Sequence, residues 1–128
     1  MARNLTIGAT TITAGSTTGG LSGFTHSIAS IAKSVNEIWR FEGAITATAD
    51  VYTRAQIPNM GDPTFYFIQN HAANAMTITL IHAGGDSPDV LTLAAGGILM
   101  MNCATQDALT SIEVFGTNSD EYTMILAD

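Results

Sequence analysis

Residues 64–82 read TFYFIQNHAANAMTITLIH, and the second half of this stretch decides the fold. Met76, Ile78 and Leu80 alternate with Thr77, Thr79 and Ile81, the two-residue period of a strand. Ahead of it, the apolar run Phe65-Tyr66-Phe67-Ile68 ends at Asn70-His71-Ala72-Ala73-Asn74, whose residue types make turns. The same grammar continues outward to the end of the chain. A turn at Gly84–Pro88 precedes a short strand, Val90–Leu93, and Ala94-Ala95-Gly96-Gly97 leads into Ile98–Asn102. A loop through Gln106 and Asp107, the strand Leu109–Phe115, the turn Gly116–Asp120 and the strand Tyr122–Leu126 complete the series. About six short strands at this spacing predict a sandwich or barrel. The links between them are too short for helical crossovers, so the pairing is antiparallel.

Alternation also assigns faces. Ile78, Leu80, Ile112 and Val114 should point to the core, with Thr77, Thr79, Ser111 and Glu113 outward. Phe65–Ile68 and Ile98–Met101 are apolar on both faces and so call for a second layer. The opposite sheet, a helix at 27–38 or another subunit would each supply one.

Upstream the signal is mixed. Ile28, Ile31, Ala32, Val35 and Ile38 or Trp39 recur at helical spacing, with Thr25 or Ser27 as a cap, yet the β-branched content equally fits a strand through Glu37–Phe41. Ala44–Tyr52 reads as strand. Leu5 and Ile7 alternate with polar neighbours in a first strand, and the Gly/Ser/Thr stretch Ala14–Gly20 reads as a flexible connector. The expected organisation is a Thr/Gly-rich arm at 1–23 and a single β domain at 24–128. The fold class is all-β, an antiparallel sandwich or jelly-roll-like barrel, with a short helix near 27–38 as one reading.

At 128 residues the chain suits one domain. It is 46% hydrophobic with mean hydropathy +0.25 and only 12% charged, against about 25% in average soluble domains. Either small residues inflate the hydropathy, or neighbouring subunits cover much of the surface, which is the reading favoured here. The net charge of -7 argues against direct binding to nucleic acid. Arg3, Lys33, Arg40 and Arg54 all lie in the first half, and no Lys or Arg follows. Beyond chance, this separation fits docking of the acidic half on a basic partner, or on the basic N-terminal part of a neighbour.

Parts for catalysis are missing. His26, His71 and His82 lack metal-ligand spacing, and the acidic turns at 59–62, 85–89 and 118–121 lack the regular spacing of a calcium loop. Cys103, beside Met100 and Met101, reads as a small hydrophobe without a positioned base. Gly19-Gly20, Gly84-Gly85 and Gly96-Gly97 lack the Lys and helix of a phosphate loop. The expectation is no enzyme, no cofactor and no metal. No secretory signal follows Met1-Ala2-Arg3-Asn4 and no apolar run spans a membrane, which predicts a cytoplasmic product without membrane partners. Trp39, Tyr52 and Tyr66 are candidates for a sugar-stacking platform in a carbohydrate-binding or adhesion module. Core packing is the simpler account of Tyr66, which lies between two Phe residues. Trp39 beside Arg40 is the candidate exposed anchor.

The half from Phe65 onward resembles the small β-sandwich virion proteins of tailed bacteriophages. The resemblance lies in a strand ending in Asn (Phe67-Ile68-Gln69-Asn70), an alternating strand (Met76–Ile81), the Leu91–Gly97 turn, and a hydrophobic final strand (Tyr122–Leu126). It implies a capsid decoration or cement protein, made in the host cytoplasm and carried in the virion. A head-tail or tail component is the alternative. Its implied partners are itself, as a homo-oligomer with a trimer favoured, and the major capsid protein or another virion protein. On that reading Arg3, Leu5 and Ile7 of the arm would pair with a neighbour's sheet edge.

Overall fold

The computed structural model describes residues 3–16, 22–53, 56–57, 60–84, 87–104 and 108–128, with backbone alone at 13–16 and 22–25. Through these run the strands β1 (Arg3–Ile7), β2 (Thr10–Ser16), β3 (Ser22–Ile28), β4 (Ile31–Val35), β5 (Ile38–Ala44) and β6 (Ala49–Thr53). They continue as β7 (Phe65–Asn70), β8 (Met76–His82), β9 (Asp89–Leu93), β10 (Ile98–Asn102), β11 (Leu109–Phe115) and β12 (Glu121–Ala127).

Strands β5–β12 pair in a nest: β5 with β12, β6 with β11, β7 with β10 and β8 with β9. The nest is folded over, so that β12 also pairs with β7 and β11 with β8, all antiparallel. Two four-stranded sheets result, a front sheet in the order β10-β7-β12-β5 and a back sheet in the order β6-β11-β8-β9. The chain changes sheet at every link except β8–β9. This is the strand order of an eight-stranded jelly roll, laid out as an open sandwich rather than a closed barrel. β9 and β10 form the edges on one side, β5 and β6 those on the other.

Alternation places the core. Ile78, Leu80, Ile112 and Val114 are buried between the sheets, facing Tyr66, Ile68, Tyr122, Met124 and Leu126 from the front sheet. Each such side chain contributes about 1.5–3 kcal/mol by leaving water. Thr77, Thr79, Ser111 and Glu113 stay partly exposed, as the pattern predicts.

One end of the sandwich is tied by Asn70. Its side chain is fully buried; Nδ2 donates to the carbonyls of Asn74 (2.7 Å), Leu93 (3.2 Å) and Ala94 (3.0 Å), while Oδ1 accepts from the Ala72 amide (2.8 Å). The β7–β8 and β9–β10 turns therefore share one clamp. In the second of them Gly96 adopts φ 72°, and a Cβ on Gly97 would lie 2.8 Å from the Ala94 carbonyl oxygen. The two glycines answer two different demands, a left-handed backbone and a close approach.

Two expectations from the sequence change. Residues 27–38 form no helix: they end β3, make β4 and begin β5. Pairing with β1 satisfies the backbone of Ile31–Val35, and the β-branched side chains suit that pleat better than a helix. The segment 44–52 is not one strand either, because it turns at 45–48 between β5 and β6. Ile45 plugs the core there, and Ala47 takes φ 62° while its amide donates to Asn118 Oδ1 (3.0 Å). A partner 71 positions away leaves no local signal.

Strands β1–β4 stand outside the nest. β1 pairs with β4 and β2 with β3, and the partner numbers add to 38 in both, as in Ile7 with Ile31 and Thr10 with Ile28. The two hairpins are thus one antiparallel ribbon in unbroken register, interrupted at Gly8-Ala9 and Ala29-Ser30. This ribbon takes in residues on both sides of the 23/24 boundary expected from the sequence.

Candidate assembly surface

The ribbon is rooted on the outer face of the front sheet. Val35, Phe65 and Ala127 are buried together there, with Leu5, Ile7, Ile38, Phe67 and Ile125 packed around them. Polar contacts fix the position. Lys33 Nζ donates to Thr64 Oγ1 and to Asn102 Oδ1 (2.9 Å), and Arg3 meets Glu37 at 3.3 Å. Burial holds the Lys33 ammonium below the ordinary lysine range. The root thus supplies the second layer that Phe65 and Phe67 demanded.

Beyond the break at Gly8 the ribbon stands clear. Thr11 and Ile12 point to opposite faces, as do His26 and Ser27, and all four are exposed. Among the described residues β2 and β3 pair with each other and with no third strand, and none of their described apolar side chains joins either hydrophobic cluster. At about 3.3 Å per residue, each fourteen-residue arm is roughly 45 Å long. The remaining sandwich has a diameter of roughly 30 Å.

The β9/β10 side of the sandwich is also open. A cleft of about 570 Å³ runs between these edges, lined by Tyr66, Leu80, Leu91, Met101 and Cys103, with Asp89 and His82 at its rim. His82 Nε2 lies 2.9 Å from Asp89 Oδ2, and the Cys103 thiol donates to the Thr64 carbonyl (3.1 Å). Val90, Leu91, Ile98, Met100 and Met101 are among the exposed large hydrophobic residues, and all lie on these two strands. Of the four edge strands, β5 carries Arg40 and Glu42, β6 Asp50 and β9 Asp89, whereas β10 carries no charge. An uncharged apolar edge is open to strand addition.

The opposite side is closed by aromatics. Trp39 stacks on Phe41 with centroids 6.0 Å apart, and Tyr52 meets both rings at 5.3 and 5.4 Å. Tyr122 donates to Asp50 Oδ2 (2.7 Å), and its oxygen is shared with the Tyr52 hydroxyl. Desolvation raises both phenols above the ordinary tyrosine value. A raised phenol favours the folded state fully below about pH 10 and progressively less above it, because the unfolded chain then releases protons that the folded one retains. Alkaline titration should therefore show phenolate absorbance at Tyr52 and Tyr122 rising together with loss of the β circular dichroism. Ionisation of either phenol in a chain that keeps its fold would refute this.

The residues singled out from sequence are dispersed. Arg3, Leu5 and Ile7 are engaged at the ribbon root with their own sandwich, and the part of the arm without a partner lies farther out. Trp39 points inward and is half-buried, while Arg40 points outward and pairs with Glu42 at 2.9 Å, so the two do not share a face. The cleft was hidden in the sequence, though Ile98–Met101, apolar on both faces, carried its trace. Among the described residues no three His, Cys, Asp or Glu side chains gather as a metal site, and no helix is long and apolar enough to cross a membrane. No family model matches the chain, and neither a curated protein nor a solved structure matches it.

Proposed function

We propose that this chain is a structural assembly protein whose ribbon joins it to neighbouring subunits. The observation that carries this reading is the β2–β3 half of the ribbon: Thr11, Ile12, His26 and Ser27 are exposed on both its faces, and among the described residues the two strands pair only with each other. An isolated two-stranded ribbon is marginal in water, so a partner would complete it. The charge-poor composition and the exposed apolar residues of β9 and β10 support the same reading. The resemblance to small virion proteins of tailed phages makes the capsid shell the proposed setting, with the chain as a decoration or cement protein. Many weak contacts spread over a shell add to a large resistance against separation. The jelly-roll order is compatible with this and does not by itself decide it.

The test is solution mass by light scattering over a wide concentration range. It compares the full chain with a variant in which residues 10–28 are replaced by Asn-Gly, a two-residue hairpin turn. The expected result is an oligomer, a trimer in the proposed setting, that the trimmed chain no longer forms. A monomer at every concentration would overturn the reading.

A further inference from the structure

The ribbon changes its apolar face partway along. In its root, Leu5 and Ile7 on one strand and Val35 on the other have odd numbers and pack against the sandwich, while Ile31, the partner of Ile7, is 43% exposed. Past the break, the described apolar strand positions are Ile12 and Ile28, which are even. Partner numbers add to an even total throughout, so parity labels the two faces of the whole ribbon. The inversion falls at the same level on both strands. An odd step in a strand pattern sends its apolar set to the other face. The outer half therefore presents its apolar face away from the side that the root uses to hold its own body.

Charge separates at a different boundary, between ribbon and sandwich, and residues 10–28 themselves carry no Asp, Glu, Lys or Arg. Residues 3–35 hold Arg3 and Lys33 and no carboxylate, whereas all eleven Asp and Glu lie in the rest of the chain, against Arg40 and Arg54. A second copy's sandwich is acidic, and the ribbon carries nothing that it would repel.

We infer that the outer half of the ribbon docks along the β9/β10 side of a second copy of this chain. This rests on the assembly reading above and names the surface that receives the ribbon. The even face, with Ile12 and Ile28, covers the cleft at Leu91 and Met101, and one ribbon strand extends the front sheet at β10. The open backbone of β10 gains its missing hydrogen bonds, and the exposed side chains of both partners leave water. Each copy gives a ribbon and accepts one, so the contact is between unlike surfaces and closes by exchange in a dimer or head to tail in a ring.

Mixing two half-competent chains tests it. The acceptor is the chain trimmed at 10–28, which keeps the β9/β10 side. The donor keeps the ribbon and carries Leu91→Glu and Met101→Lys, at positions exposed enough (39% and 43%) to accept charge. The paired charges should weaken self-association by at least about 100-fold. Sedimentation should show each variant alone as a monomer and the mixture as a one-to-one pair that grows no further. If the donor chain still assembles like the unaltered protein, or if the two monomeric variants stay apart on mixing while the unaltered chain assembles, the ribbon docks elsewhere and this inference fails. A monomeric unaltered chain would defeat the assembly reading itself. Circular dichroism and unfolding of each variant check that the sandwich is intact.

Discussion

Asn70→Asp is expected to cost about 3–5 kcal/mol, although it barely alters the shape of the side chain. The amide nitrogen of Asn70 faces three carbonyl oxygens, those of Asn74, Leu93 and Ala94, and no water reaches it. An ionised carboxylate there would aim a buried negative charge at three acceptors and supply no hydrogen. Protonated, it would supply one hydrogen where two are now shared among three acceptors. The variant's carboxyl is thus raised in the folded state, and its deficit should shrink as pH falls below that raised value. Set against a typical total stability of about 5–15 kcal/mol, this is enough to leave much of the chain unfolded. Urea unfolding at neutral and acidic pH checks it. A midpoint equal to that of the unaltered chain would show that the two turns are held together by something other than Asn70.

The second large effect is local. Val35→Asp places a carboxylate in the buried cluster with Phe65 and Ala127, at a site 3% exposed. Losing the valine contacts and desolvating a charge should weaken the root by about 2–4 kcal/mol. The contacts of the main core are separate from this cluster. Amide exchange should show protection collapsing through β1 and β4 and persisting in β8, β11 and β12. Loss of protection in both regions would mean that ribbon and sandwich fold as one unit.

What the sequence made legible is the sandwich from Phe65 onward. There each strand carries its own two-residue alternation, and each gap carries Gly, Pro, Asn, Asp or Ser, so local chemistry and final structure agree. Ile78, Leu80, Ile112 and Val114 were assigned to the core from that period alone. The first half resisted because its determinants are distant. The left-handed Ala47 is held by Asn118, and Ile31–Val35 are made a strand by pairing with Arg3–Ile7. The arm was visible as Thr, Gly and Ser. Its continuation through Ile28 and Val35 was masked because hydrophobic positions that change parity at Gly8-Ala9 and Ala29-Ser30 imitate a helical period. The candidate surface needed the folded sheet order, which brings β9 and β10 to one side from separate sheets.

The place of β12 between β7 and β5 has a consequence for how the molecule comes into being. The ribbon is synthesised before the sandwich, and β12, a central strand of the front sheet, follows all the other strands described. Until Glu121–Ala127 have left the ribosome, β5 and β7 have no strand to join them, and the ribbon has no Ala127 to rest on. Pairings this far apart in sequence form slowly and late. The ribbon thus emerges before the surface that orients it, and only a finished body gives it a fixed direction. The order of synthesis itself makes the ribbon's direction the last thing to be set.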